Sequence, residues 1–284
     1  MNVQFAKRVG SMTTLKNDLY DLVLGRFTAT PTGNKASWGV TLIILVLGMA
    51  GAFSFRFLGL EVPAEARDVL TQDAFATSMA ITISIFVFIC VVVGHFLAPH
   101  AGVRAPVIEG LLSGKMSCTL LNGSLNIAAI FGIAVLVLSL AIEPWLFSQL
   151  SEETLAAFIN FNMVQTPWIT KFLYGGLAEQ VVMDWAVLSL VLWLSLKTIG
   201  RLSRRGATLA AVFVTAVVAT AVHAPTLPSI LPDAPQILFL YYNVFGFLGA
   251  LIAAALTVKK GIESAMIFKL TIVFGSLVAT SIFA

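Results

Sequence analysis

Six polar side chains in the second half of this chain could do chemistry, and all lie in stretches that are otherwise apolar. Glu179, Gln180 and Asp184 fall within two helical turns of GLAEQVVMDW, and His223 lies near the end of AVVATAVHAP. Asn243 opens NVFGFLGALIAAAL, and Lys269 sits inside GIESAMIFKLTIVF. A carboxylate beside a histidine can act as a general base toward water. Carboxylate and imidazole together can ligate a metal, and a carboxylate beside an ammonium can neutralise it in an ion pair. The choice matters because a charge in hydrocarbon is costly enough to need a partner or a task.

The elements that must position these residues are membrane spans. The 284 residues are 58% hydrophobic and 11% charged, with a mean hydropathy of +0.95. A soluble domain carries about 25% charge, so a water-soluble globular protein is excluded and an all-α polytopic helical membrane protein is expected. Seven apolar segments appear near 38–58, 74–98, 118–142, 174–197, 207–223, 236–258 and 262–282, each long enough to cross a bilayer. The net charge of +3 is too small for a nucleic-acid partner. Cys90 and Cys118 form no CxxC or Cys/His pattern, so neither a disulfide framework nor a zinc knuckle is implied. There is no internal repeat of the kind that builds transporters from inverted halves.

Charge outside the spans orients the chain, because basic loops stay cytoplasmic. Lys7, Arg8, Lys16, Arg26 and Lys35 precede span one, and Arg104 and Lys115 follow span two. Lys197, Arg201, Arg204 and Arg205 follow span four, and Lys259 and Lys260 follow span six. The other side holds only Arg56, Arg67 and Lys171, together with Glu61, Glu65, Asp68, Asp73, Glu143, Glu152, Glu153 and Asp233. The N-terminus is therefore expected in the cytoplasm and the C-terminus outside, in a bacterial inner membrane. Residues 1–37 read as a cytoplasmic amphipathic arm, with Leu15, Leu19, Leu22, Val23 and Phe27 opposite Lys16, Asn17, Asp18 and Asp21. It can lie on lipid or dock another protein. Residues 38–284 form the helical transmembrane domain, and a second interfacial segment is expected over 152–166, ended by Pro167.

These four stretches, in their order and spacing, resemble the CPBP family of intramembrane proteases, which includes type II CAAX prenyl proteases and bacterial abortive-infection and bacteriocin-processing proteins. The family pattern is Glu-Glu-x-x-x-Arg at the start of one helix, Phe-x-x-x-His at the end of the next, a glycine-bearing helix, and then His-x-x-x-Asn/Asp. The resemblance covers about residues 170–284 and implies a CPBP-like helical core. In that family the first glutamate activates water, and the histidines position it or hold a metal. Glu179 and His223 match those catalytic positions. Gln180 replaces the second glutamate, Asp184 the arginine, Ala219 the phenylalanine, Lys269 the second histidine and Val273 the final Asn/Asp.

These replacements shift the expected chemistry. A catalytic zinc needs three protein ligands, and a protonated Lys269 would repel it, so no cofactor is expected, and zinc enters only if the chain is an active protease. The favoured reading is a structural ion pair of Lys269 with Glu179 or Asp184, in a polar cluster that also contains Gln180 and Asn243. That implies a non-catalytic membrane protein acting as a subunit, assembly factor or scaffold of a membrane complex. The alternatives are an active glutamate-dependent endopeptidase acting on a membrane or lipidated peptide, and ligand binding at the cluster.

Other signals read as structural. His95 and His100 lie off one helical face and suit an interfacial role. Trp38, Trp145, Trp168 and Trp185 are expected as anchors near span ends, and Gly246 and Gly249 as a close-packing surface. Asn122, Ser124 and Asn126 are expected to face the bundle. The basic cluster of Arg201, Arg204 and Arg205 reads as a topology determinant touching anionic lipid.

Overall fold

The computed structural model describes residues 37–59, 62, 68–115, 118–160, 166–199, 203–231 and 234–283. The expected amphipathic arm lies outside these residues except for Ser37. Long apolar runs with few internal breakers fold as helices because only a helix satisfies its own backbone inside hydrocarbon. Helix α1 covers Trp38–Phe53 and ends in a 3₁₀ turn at Ser54–Phe57. Then come α2 (Gln72–Ala101), the short α3 (Pro106–Leu112), α4 (Cys118–Phe147) and the short α5 (Glu152–Asn160). They are followed by α6 (Trp168–Thr198), α7 (Arg204–His223), the short α8 (Thr226–Ile230), α9 (Gln236–Lys260) and α10 (Ile262–Phe283).

Seven of these helices, α1, α2, α4, α6, α7, α9 and α10, are long and apolar enough to cross a membrane. No strand occurs among the described residues. The chain is an integral membrane protein of the all-α polytopic class.

Local signals set the ends. Ser37 caps α1 by accepting from the Val40 amide at 3.2 Å, and Thr71 caps α2 by accepting from the Ala74 amide at 3.2 Å. Ser203 caps α7 by accepting from the Gly206 amide at 3.0 Å. Each hydroxyl satisfies an amide that the first helical turn leaves without a partner. Helix α2 stops at Gly102, whose φ of 81° is the left-handed conformation that glycine adopts without strain. Helix α4 runs past its expected end, so Glu143, expected in an outer loop, is helical. Its carboxylate accepts from the Ser139 hydroxyl at 2.7 Å and the Tyr241 hydroxyl at 2.9 Å.

Span four, α6, is the axis of the bundle. Of its most apolar window 61% is buried, against 22–39% for the other six spans. It packs on α1 and α2 along one side and on α7 and α10 along others, while α10 also packs on α4 and α9. The largest core cluster follows from this, with Ile44, Val87, Val91, Val181, Trp185, Leu188, Val212 and Met266 meeting around α6.

At the end carrying α3, the connection into α10 is locked to the α2–α3 loop. The Ile262 amide donates to the Arg104 carbonyl at 3.0 Å, and Glu263 accepts from the Ile108 amide at 2.9 Å. At the other end Leu146, Leu227, Leu231 and Leu238 close a smaller cluster beneath α5 and α8. The predicted 152–166 segment is helical over Glu152–Asn160 with both acids in its first turn, and residues 161–165 lie outside the described set.

Candidate functional site

The central helix is unusual where its polar residues lie. After Pro167 and a short α-helical start, Lys171–Ala178 is π-helical, and so is Val181–Val187, with Glu179 and Gln180 between the two stretches. A π turn carries i→i+5 bonds and is rare, usually a single-turn bulge. Two such stretches in succession widen the helix and reset the direction of every side chain that follows. Neighbouring helices fit this wider cylinder through glycines. A Cβ on Gly51 of α1 would strike the Leu173 carbonyl and the Ala178 methyl, one on Gly176 would strike Leu270 of α10, and one on Gly94 of α2 would enter the Trp185 indole.

At this point Lys269 of α10 meets α6. Its Nζ donates to Glu179 Oε1 at 3.2 Å, and the two side chains are 20% and 16% exposed. Asp184 is 2% exposed and lies within electrostatic reach of both Lys269 and Glu179, with Thr257 of α9 facing it. Asp184 Oδ2 and Thr257 Oγ1 are both buried and neither has a hydrogen-bond partner. The ammonium is thus bonded to Glu179, with Asp184 a second carboxylate nearby. Tyr174 and Tyr242 lie within electrostatic reach of Glu179 and complete the surroundings of the pair.

The remaining candidates are placed differently. Gln180 is buried at 1% exposure beside the pair. His223 Nδ1 lies 2.7 Å from the Ala219 carbonyl of its own helix, and Asn243 donates to the Phe239 carbonyl of its own helix at 2.8 Å. Neither is tied to Glu179. The residues do not present a three-ligand zinc set: Glu179 already holds an ammonium, and His223 is not tied to it. Among the described residues no three His, Cys, Asp or Glu side chains gather as a metal-holding group.

Several expectations need correction. Gly246 and Gly249 are not close-packing positions, because a Cβ on either would meet nothing within 4 Å. They share one face of α9 with Tyr242, Ala253 and Thr257, along which Gly246 is exposed and Gly249, Ala253 and Thr257 are buried. Trp185 is no interfacial anchor; it is 1% exposed at the centre of the core, whereas Trp38, Trp145 and Trp168 are exposed as anchors should be. His95, expected in an interfacial role, is a buried link beside the exposed Trp38. It is 2% exposed, its Nδ1 lies 2.7 Å from Thr41 Oγ1, and its ring stacks on Trp38 at 4.2 Å, joining α1 to α2. Asn126 is exposed and does not face the bundle, and the side chains of Asn122 and Ser124 lie outside the described residues.

Sequence reasoning missed Tyr174, Tyr242 and Thr257. The signal for Tyr242 and Thr257 is the i, i+4, i+7, i+11, i+15 row between them, which is polar at both ends and small between. No family model matches the chain, and no curated protein and no solved structure matches it either.

Proposed function

We propose that this is a non-catalytic, CPBP-like membrane protein serving as a subunit, assembly factor or scaffold of a membrane-protein complex. Its N-terminus is cytoplasmic and its C-terminus outside, in a bacterial inner membrane. The observation that supports this reading is the 3.2 Å Lys269–Glu179 pair. An ammonium stands where the resembled family has its second histidine, and the carboxylate that would activate water instead neutralises a charge between two spans. Such a pair serves geometry: it fixes the register of α10 against α6 at a depth where either charge alone would be costly. The arm over residues 1–36 offers the partner contact. Recovery of the protein from its own membranes in a mild detergent tests the reading. A stoichiometric membrane-protein partner that is lost when residues 1–36 are deleted supports it, and a protein that elutes alone overturns it.

A second reading, an active endopeptidase using Glu179 and His223, is favoured by one observation. Glu179 follows a π-helical stretch and remains partly exposed. Zinc would enter only under this reading. A folded Glu179→Ala variant that no longer processes a membrane or lipidated peptide supports it, and unchanged processing removes it.

A further inference from the structure

The Lys269–Glu179 contact leaves one acid at the centre of the bundle without a bonded counter-ion. Glu179 and Asp184 bring two carboxylates and Lys269 one ammonium, which is bonded to Glu179 at 3.2 Å. Among the described residues no ion pair includes Asp184. Its side chain is 2% exposed, at a depth where an unbalanced charge is costly.

Thr257 of α9, which faces this acid, departs from the habit of other threonines in the spans. Thr82, Thr208, Thr220 and Thr271 each donate to the carbonyl four residues back in their own helix, at 2.7–2.9 Å. That is the ordinary way for a hydroxyl to be satisfied within a helix. Thr257 makes no such bond. Its Oγ1 and Asp184 Oδ2 are both buried, neither has a hydrogen-bond partner, and they come from different helices. A cation held between them satisfies both oxygens at once.

The surroundings supply more oxygen. Helices α7, α9 and α10 all pack on the π-helical stretch that carries Asp184. Ser189 of α6, Thr215 of α7 and Ser264 of α10 are at most 1% exposed, and their hydroxyl oxygens are also without partners.

Donor type and charge together define the ion. Hydroxyl and carboxylate oxygens suit hard cations, whereas transition metals favour nitrogen and sulfur. Calcium takes about six to eight oxygens, commonly from several carboxylates, and here one carboxylate is free of the lysine. A divalent ion would also replace a deficit of one positive charge by an excess of one. A monovalent ion balances the cluster.

We propose that Asp184 Oδ2 and Thr257 Oγ1 form a binding site for a single sodium ion, which ties α6 to α9 and brings the central cluster to neutrality. The site stands whether the chain is a complex subunit or a peptidase.

Thermal unfolding of the full-length protein in detergent tests it, with sodium chloride compared with choline chloride at equal ionic strength. Sodium is expected to raise the unfolding midpoint in a saturable way, as a ligand of the folded state does, and choline is too large to enter. Equilibrium binding of radioactive sodium should saturate at one ion per molecule. Asp184→Asn should abolish both responses. Thr257→Val, which keeps the side-chain shape and removes the oxygen, should weaken the apparent affinity about tenfold, the usual effect of losing one contact to a charged group. The valine variant also covers the case in which the asparagine variant fails to fold. Equal midpoints in the two salts would overturn the proposal, as would an undiminished sodium response in either folded variant. A midpoint that moves with pH and not with sodium would overturn it in favour of a direct hydrogen bond between a protonated Asp184 and Thr257.

Discussion

At the scale of single residues, the 3.2 Å contact between Lys269 and Glu179 is a commitment made in hydrocarbon. Removing one member strands the other, which costs about 3 kcal/mol in comparable buried pairs, whereas neutralising both is often close to neutral. Lys269→Met should therefore lower stability in detergent by about that amount, and adding Glu179→Gln should recover most of the loss. Urea or SDS titration of the four proteins of this cycle measures the coupling. A strictly additive cycle would show that the pair carries no energy. If Lys269→Met with Asp184→Asn recovers more, Asp184 is the principal counter-ion. The need for such a pair is readable without coordinates, because an intramembrane lysine requires a nearby carboxylate. Which carboxylate it meets, and that Thr257 faces the other, depends on helix rotation, about which composition is silent.

Individual helices separate the readable from the unreadable more sharply. The seven spans follow from hydropathy alone, and Pro167, Ser203 and Thr71 mark their starts with local chemistry. Rotation about each helix axis does not follow, because lipid tails and core side chains are equally apolar and the pattern on a span does not distinguish inward from outward faces. Trp185 was therefore expected at an interface and Gly246 at a tight contact, and both are the reverse. The π-helical register of α6 is equally hidden, since periodicity is read with a fixed α-helical repeat. Paired substitutions test this placement. Gly94→Ala drives a methyl into the Trp185 indole and should cost about 1–3 kcal/mol. Gly246→Ala meets open space and should be neutral or stabilising by up to about 1 kcal/mol through helix propensity alone. Thermal unfolding of the two variants side by side distinguishes them, and equal losses would refute the assigned rotations of α2 and α9.

For the whole molecule, the most buried span is also the least apolar of the seven, and it is contacted by spans made both before and after it. The proposed orientation, N-terminus cytoplasmic and C-terminus outside, is tested by reporter fusions. A phosphatase fused after Phe283 should be active outside the cell, and one fused ahead of Trp38 should be silent. The ion pair adds a constraint in time. Glu179 and Lys269 are 90 residues apart, and the lysine belongs to the final span. During synthesis Glu179 enters the bilayer well before Lys269 is made, so the growing chain passes through a stage in which this carboxylate lacks the lysine. A chain ended after Lys260 never leaves that stage. In pulse-chase labelling it should be cleared much faster than the full-length protein, and Glu179→Gln with Asp184→Asn should slow that clearance. Helix α10 is thus expected to mark, for a membrane quality-control protease, the difference between a chain whose Glu179 is paired and one whose Glu179 is not.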